Sequence, residues 1–212
     1  MLAASGAAFA GDLQAAVDRL TEGRSLGSDL DPWLEAHLRL MQGQIEVLAG
    51  DHEAARRTLG ESERLARRLG SPFTLATVLN VRASLAKLAG AHAEALELLV
   101  EAAALAGAAG ISWTQVYTLP GIADLAVRSG RPDLAARLYA AGAALADATG
   151  LAVSFPPDIE RGAAGMAAVR AELDPPRFER LWESGRGLSL DQVAELADSL
   201  RGRSIGPPHP AP

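Results

Sequence analysis

The sequence predicts an all-α fold, a solenoid of helical hairpins, on three observations. Glycine recurs at an interval of 20 residues, at Gly50, Gly70, Gly90, Gly110, Gly130 and Gly150. Each of these glycines follows an apolar run, where it stops a helix because it adopts the left-handed conformation without steric cost. Hydrophobic residues make up 49% of the chain and aromatic residues only 4%. Much of the apolar content is alanine, which favours helices over strands.

Two such helices make one unit, so the period is about 40 residues, which is typical of stacked helical repeats. Side-chain size repeats with it. Counted from Gly11, Gly50, Gly90 and Gly130, the residue five places later is an alanine: Ala16, Ala55, Ala95 and Ala135. Nine places later the residue is large: Leu20, Leu59, Leu99 and Tyr139. Small residues stand twelve places later (Gly23, Ser62, Ala102, Gly142) and seven places earlier (Ala4, Gly43, Ala83, Ala123).

This spacing resembles the tetratricopeptide repeat, whose hairpins form a right-handed solenoid. Small positions let two helices approach closely, and the large residue fills the space beside them. The period exceeds the roughly 34 residues usual in that family. The aromatic residue that the family places four before each helix-ending glycine is replaced by Ala7, Glu46, Ala86 and Ala126. The chain is therefore similar to a long variant of this repeat.

Local signals predict helices over residues 12–25, 32–49, 52–69, 72–89, 92–109, 112–129 and 132–149. Asp31 and Ser71 each precede a proline, which is the pattern of an N-cap followed by a first-turn proline. Ser112 with Gln115 predicts a capping box. Pro120 lies inside the helix predicted over 112–129, and we expect a kink or a break there because proline lacks an amide donor.

The predicted repeat domain covers residues 1–150, in units of about 1–30, 31–70, 71–110 and 111–150. Residues 151–201 form a C-terminal helical cap with helices at about 157–172, 175–185 and 190–200. Ser189 with Gln192 is predicted to open the last of these helices with a capping box. The proline-rich tail, 202–212, is expected to be disordered. Because the first unit is short and lacks the polar face that caps a solenoid, we expect the chain to be a piece of a longer protein.

Residues 130–197 carry a second resemblance. A repeat unit, a Pro156-Pro157 pair and a helix are followed by a segment containing Phe178 and Trp182. This order is similar to the C-terminal end of large actinobacterial regulators. They join a nucleotide-binding signalling ATPase and a tetratricopeptide-like arm to a LuxR-type or winged-helix DNA-binding domain, or to a nucleotide cyclase domain. The matching positions are Ala135, Ala136, Leu138, Ala146, Gly150, Pro156, Pro157, Phe178, Trp182, Gly185, Leu188, Ser189 and Val193. The resemblance implies the sensor or protein-contact arm of a transcriptional or signalling regulator.

Composition excludes several classes of function. With 26 acidic and 20 basic residues the net charge is −6, which argues against direct binding of nucleic acid or an anionic membrane. The chain has no cysteine, hence no disulfide and no thiolate metal site. No apolar run reaches the roughly 18 residues of a transmembrane helix, and we expect a cytoplasmic protein. The phosphate-binding pattern Gly-x-x-x-x-Gly-Lys-[Ser/Thr] is absent.

We predict no catalytic activity, no metal and no cofactor. The histidines are His37, His52, His92 and His209. His52 and His92 occupy equivalent repeat positions, too far apart to share a metal ion. The sequence contains no His-x-x-x-His or His-Glu-x-x-His pattern and no Gly-x-Ser-x-Gly turn.

The first helix of each unit lines the concave face of such a solenoid. The tetratricopeptide resemblance places nine residues there: His37, Gln44, Thr77, Asn80, Ser84, Lys87, Tyr117, Asp124 and Arg128. This mixed polar face suits a protein or peptide partner, although plain solvated surface has the same composition. The first hypothesis is therefore a non-catalytic protein-interaction module. The alternative is a small-molecule sensor, in which the bend at Pro120 closes over the groove.

Trp33 and Trp113 stand two repeat periods apart, at the same structural position of two units. We expect them to anchor the core. The alternative is a pair of exposed aromatic side chains that face a partner.

Overall fold

The computed structural model describes residues 6–8, 10–25 and 31–202, and all regular structure in these ranges is helical. The helices with defined bounds are α1 (Leu13–Ser25), α2 (Pro32–Leu48), α3 (His52–Leu69), α4 (Pro72–Leu88), α5 (His92–Ala109), α6 (Ser112–Arg128), α7 (Pro132–Thr149), α8 (Pro156–Glu172), α9 (Pro175–Arg186) and α10 (Leu190–Asp198). The tail beyond Gly202, His209 and the small position Ala4 lie outside the described residues. None of the described helices combines the length and apolar character needed to cross a membrane.

The helices form the predicted all-α solenoid of hairpins. Connections of two or three residues join α2 through α7, and such short links make sequential helices antiparallel. α2 packs on α3, α4 on α5 and α6 on α7, and each hairpin packs on the next. α2, α4 and α6 also contact one another in that order and form a continuous layer, here called the inner layer.

Glycine stops and polar caps set the helix ends. The six predicted glycines all have positive φ, between +60° at Gly70 and +79° at Gly50, which confirms their role. The side chain of Asp31 accepts a hydrogen bond from the amide of Trp33 at 2.8 Å, and Ser71 likewise caps α4. The capping box at Ser189 is also confirmed.

The capping box predicted at Ser112 is wrong. Ile111 occupies the N-cap position of α6, with no side-chain cap, and Ser112 is already the first helical residue. Ile111 is the single residue between Gly110 and α6, just as Ser71 is the single residue between Gly70 and α4. The repeat register therefore places an apolar side chain at the N-cap position. The hydroxyl of Thr114 donates to the carbonyl of Ile111 instead, at 3.2 Å.

The core follows the predicted alternation of small and large side chains. The four recurring alanines (Ala16, Ala55, Ala95, Ala135) are fully buried. A Cβ atom added to Gly43 would lie 2.5 Å from the side chain of Leu59, so only glycine fits between α2 and α3. Burial of a leucine side chain such as Leu59 stabilises the fold by about 2 kcal/mol.

Of the kink or break expected at Pro120, the break is absent, since α6 runs unbroken from Ser112 to Arg128. The ring of Pro120 lies against Gly142 of α7, whose added Cβ would meet it at 3.3 Å. The ring of Pro120 is therefore packed within the hairpin of α6 and α7.

The C-terminal cap begins where the chain crosses to the inner layer. α8 packs on α6 and α7, α9 packs on α7, and α10 returns to α5. At Gly185 an added Cβ would lie 2.4 Å from the carbonyl oxygen of Arg137, so α9 and α7 are in backbone contact. The predicted bounds of these three helices agree with the structure to within two residues.

Candidate functional site

The first turn of each inner-layer helix carries an exposed aromatic residue. α2, α4 and α6 start one repeat period apart, and the second residue of each is aromatic: Trp33, Phe73 and Trp113. Their exposed fractions are 42%, 38% and 43%. Because the helices lie side by side, the same helical position forms a row along one edge of the inner layer. This row, the aromatic edge, is open to solvent.

One turn further along, His37 of α2 packs between two rings of the aromatic edge. Its ring centroid lies 4.0 Å from that of Trp33 and 6.0 Å from that of Phe73. Nδ1 of His37 lies 3.0 Å from the carbonyl oxygen of Trp33. Burial lowers the pKa of His37, against the effect of this hydrogen bond, so the imidazole is neutral at pH 7.

The polar side chain of Asn80 ties α4 to α6 beside this histidine. Its amide nitrogen donates to the carbonyl of Thr114 at 3.3 Å, and its amide oxygen accepts from the hydroxyl of Thr118 at 2.9 Å. Both ends of the amide are thus engaged, which fixes its orientation. These hydrogen bonds join α4 to α6 at this point.

Residues 152–158, here called the closing segment, lie across the inner layer. Phe155 is only 3% exposed and packs in a cluster that includes Leu40 of α2 and Val81 of α4. The hydroxyl groups of Ser154 and Tyr117 are 2.8 Å apart and share a hydrogen bond. The chain's own segment thus occupies part of the face that the sequence assigned to a partner.

Asp158, in the first turn of α8, fastens the closing segment to α4. Its Oδ1 accepts hydrogen bonds from the hydroxyl of Ser84 at 2.8 Å and from Nζ of Lys87 at 3.2 Å. Arg161 adds a third donor at 3.0 Å. Burial opposes the charge of Asp158, but Lys87, Arg161 and the hydrogen bonds outweigh it and lower the pKa of this carboxyl.

Phe73 and Trp113 of the aromatic edge and the closing segment border a half-open cavity of about 360 Å³. The surface of its walls is mostly apolar, although about half of the lining residues carry a polar side chain. A mainly apolar wall with fixed polar groups is the usual composition of a ligand pocket. Its lining comprises Gly6, His37, Leu40, Met41, Gln44, Phe73, Thr77, Asn80, Val81, Trp113, Thr114, Tyr117, Ser154, Phe155 and Asp158.

The structure brings together five of the nine predicted groove residues, since His37, Gln44, Thr77, Asn80 and Tyr117 all line the cavity. Two others, Ser84 and Lys87, hold Asp158 and are not cavity walls. The remaining two, Asp124 and Arg128, are not among the residues that line the cavity. They approach each other within α6, with Nε of Arg128 3.5 Å from Oδ1 of Asp124.

The expectation that Trp33 and Trp113 anchor the core is wrong. Each is the second residue of its helix and projects from the solvent edge of the inner layer. Trp113 lines the cavity, whereas Trp33 covers His37. Sequence reasoning missed Phe73, although its place one repeat period from each tryptophan was a usable signal. It also missed the closing segment, for which the sequence offers no periodic signal.

Among the described residues that line the cavity, Asp158 is the one carboxylate. Across the described ranges, no group of three or more histidine, aspartate or glutamate side chains could hold a metal ion. Asp158, its charged residue, is engaged by Lys87 and Arg161. What the arrangement offers chemically is recognition, through ring faces and fixed hydrogen-bonding groups.

Comparisons of the chain with protein-family models, with curated proteins and with solved structures gave no match. The candidate site therefore rests on its own geometry.

Proposed function

We propose that this chain is a non-catalytic sensor module that binds a small molecule in the cavity between the inner layer and the closing segment. The observation that carries the proposal is the position of the closing segment. The closing segment lies across the inner layer, and Phe155 fills the part of the groove beside Leu40 and Val81. An extended partner chain running along the inner layer would collide with it, whereas a compact ligand fits the remaining 360 Å³.

The cavity also connects to the rest of the molecule in a way that suits a sensor. Ser154, Phe155 and Asp158 are cavity walls and at the same time form the entry to α8. A ligand that contacts them stabilises one position of α8 and of the helical cap that follows. In a regulator of the kind the sequence resembles, that cap would pass the signal to an output domain.

The test is a thermal-shift screen of a metabolite library on three proteins. Thr77→Trp places a large side chain in the cavity from a half-exposed position on α4. Thr21→Trp is the matched control, since Thr21 also donates to the carbonyl four residues earlier but lies on α1, away from the cavity. A ligand present at about 100 times its Kd stabilises the fold by roughly 2.7 kcal/mol.

We expect at least one compound to raise the melting temperature of the wild type and of Thr21→Trp, but not of Thr77→Trp. Compounds that stabilise all three proteins equally would place the ligand elsewhere. A screen without any stabilising compound would contradict the proposal.

A second candidate function, a contact surface for a partner protein, is favoured by the aromatic edge. Tryptophan is enriched at the centres of protein interfaces, and Trp33 is exposed without lining the cavity. Comparison of Trp33→Ala with Thr77→Trp separates the two functions. Under the second candidate Trp33→Ala weakens binding of a partner protein, and under the first Thr77→Trp abolishes the ligand-induced thermal shift.

A further inference from the structure

A second cavity, of about 590 Å³, lies between α5, α6 and α10. It is here called the α10 crevice. Its four lining residues from α5 share one helix face, because they fall into two pairs spaced four residues apart. All four are alanine or glycine, so they leave space between α5 and α10, which packs on it. The described residues that line the crevice are Ala103, Ala104, Gly107, Ala108, Gln115, Leu119, Asp191, Val193 and Ala194.

Gln115 of α6 brings an unpaired amide to this crevice. The residue is 4% exposed, and its side chain makes no hydrogen bond in the described part of the chain. The capping box that would have used this side chain does not form, because Ile111 takes the N-cap position. Buried polar side chains are almost always paired. The amide of Gln115 therefore needs a partner that the described chain does not supply.

This amide can be reached from the crevice. The described polar atoms that are both unpaired and sealed from solvent include Nε2 of His37, but neither Oε1 nor Nε2 of Gln115. Since Gln115 lines the crevice, the small accessible part of its side chain opens there. An acceptor, Oε1, and a donor, Nε2, are thus available side by side on one planar group.

The pair of free atoms defines the chemical group that complements it. A carboxamide with both ends free is matched by a group that also places an N–H donor beside a C=O acceptor. A second carboxamide does this, since two amides can join through two parallel hydrogen bonds. A ketone or an ester, which only accepts, would leave Oε1 of Gln115 without a donor.

Asp191 determines which charge the crevice accepts. It lies exposed in the first turn of α10 and has no ion pair or hydrogen bond within the described ranges. No arginine, lysine or histidine occurs among the described residues that line the crevice. An anionic ligand would meet a like charge there and no opposite one, which disfavours binding. The crevice therefore favours a neutral or positively charged ligand.

We infer that the α10 crevice is a second binding site, which holds a small uncharged or cationic molecule by pairing its carboxamide group with the amide of Gln115. The small side chains of α5 let the body of the molecule lie close to that helix. This site is independent of the proposed sensor cavity, because the two share no described lining residue.

The test uses benzamide, acetophenone and benzoate, three molecules of nearly the same shape. Acetophenone has a methyl group in place of the NH₂ group of benzamide and keeps only the acceptor, whereas benzoate is an anion. Dissociation constants are measured by NMR titration, followed at the backbone amides of Val193 and Ala194. The proteins are the wild type and Gln115→Met, which keeps the length of the side chain but removes its amide.

We expect the preference for benzamide over acetophenone to be about 3 to 10 times larger in the wild type than in Gln115→Met, the fold-change of one net hydrogen bond. Benzoate should bind the wild type more weakly than benzamide does. An equal preference in the two proteins would overturn the inference, and so would tighter binding of benzoate. If benzamide shifts neither amide signal of the wild type, water alone pairs with Gln115 and the inference is refuted.

A second pair of variants tests the site without changing Gln115. Ala104→Trp fills the crevice from an exposed position on α5. Ala93→Trp is its control, because Ala93 is also exposed on α5 but does not line the crevice. Benzamide should lose its affinity for Ala104→Trp and keep it for Ala93→Trp, whereas equal binding to both would overturn the inference. Thr77→Trp, which alters the sensor cavity, should bind benzamide in the crevice as the wild type does, so the two proposals fail separately.

Discussion

Asp158 shows at the level of single residues how this solenoid holds its closing segment. Its carboxylate is about one-fifth exposed and takes donors from Ser84, Lys87 and Arg161. The side chain of Lys87 is itself 4% exposed. Removing one partner of such a group leaves the other charge buried and unpaired, which costs more than the pair contributes.

We predict that Asp158→Asn destabilises the protein on the order of 3 kcal/mol at pH 7. The measurement is chemical denaturation of the variant and the wild type. Glu53→Gln, which removes an acid from an exposed ion pair with Arg57, is the control and should change stability little. Equal effects of the two substitutions would contradict the role given to Asp158.

The contacts of Asp158 with Lys87 and Arg161 also make the stability difference between the wild type and Asp158→Asn depend on pH. Because the pKa of Asp158 is lower in the folded than in the unfolded protein, its ionisation stabilises the fold fully above the unfolded value, about 3.9. As the pH falls below that value toward the folded pKa, the unfolded state takes up the proton first. The stability advantage over Asp158→Asn should therefore shrink in this acid window, and not near neutral pH.

At the level of elements, replacing glycine by alanine should change the free energy of unfolding in opposite directions at two positions. Gly90 ends the turn after α4 at φ +75°, with nothing near its would-be Cβ, so Gly90→Ala costs about 1 kcal/mol through backbone strain alone. Gly162 lies inside α8 at ordinary helical φ and also has open space. Gly162→Ala should stabilise by about 0.5 to 1 kcal/mol. The denaturation midpoints of the two variants measure these changes in stability. Shifts in the same direction would refute the roles given to Gly90 and Gly162.

The helices could be predicted from the sequence because their signals are local and repeated. Gly70, Ser71 and Pro72 follow one another as a stop, a cap and a start, and a glycine stop with a one-residue link recurs at Gly110 and Gly130. Ser112 was misread because its hydroxyl matched a capping pattern while the repeat register placed Ile111 at the cap. The local capping pattern and the repeat register predicted different N-cap residues there, and the structure follows the register.

The cavity could be predicted only in part, for a reason of distance along the chain. His37, Thr77 and Tyr117 recur once in each repeat unit, so one helical frame places them together. The closing segment belongs to no repeat, and its contact from Ser84 to Asp158 spans 74 residues. Neither spacing nor composition announces such a contact, which is formed only when the helical cap packs on the solenoid.

For the whole molecule, a close backbone approach holds α9 of the cap against the solenoid. Gly185 of α9 brings the two backbones together at Arg137 of α7. Gly185→Val should separate α9 from α7, since added atoms meet backbone atoms that cannot yield. Gly187→Val is the control, because nothing lies near its would-be Cβ and its φ is −95°.

We expect hydrogen exchange to accelerate over α9 in Gly185→Val while α2 to α5 keep their protection. Repeat proteins allow this because each unit contacts only its neighbours. Loss of protection throughout the chain would show that the cap and the solenoid unfold as one unit. Unchanged exchange in both variants would mean that α9 adjusts to the larger side chain.

The position of the closing segment in the chain has a consequence for biosynthesis. A ribosome that has released the chain up to residue 150 has made the hairpins formed by α2 to α7, yet one wall of the cavity is still missing. At that stage the closing segment does not yet cover the inner layer, and the aromatic side chains of this layer are open to other molecules. The cavity is complete only when Ser154, Phe155 and Asp158 have emerged and packed on the inner layer. The time between release of the repeat hairpins and release of the closing segment is therefore the interval in which a chaperone could bind the inner layer.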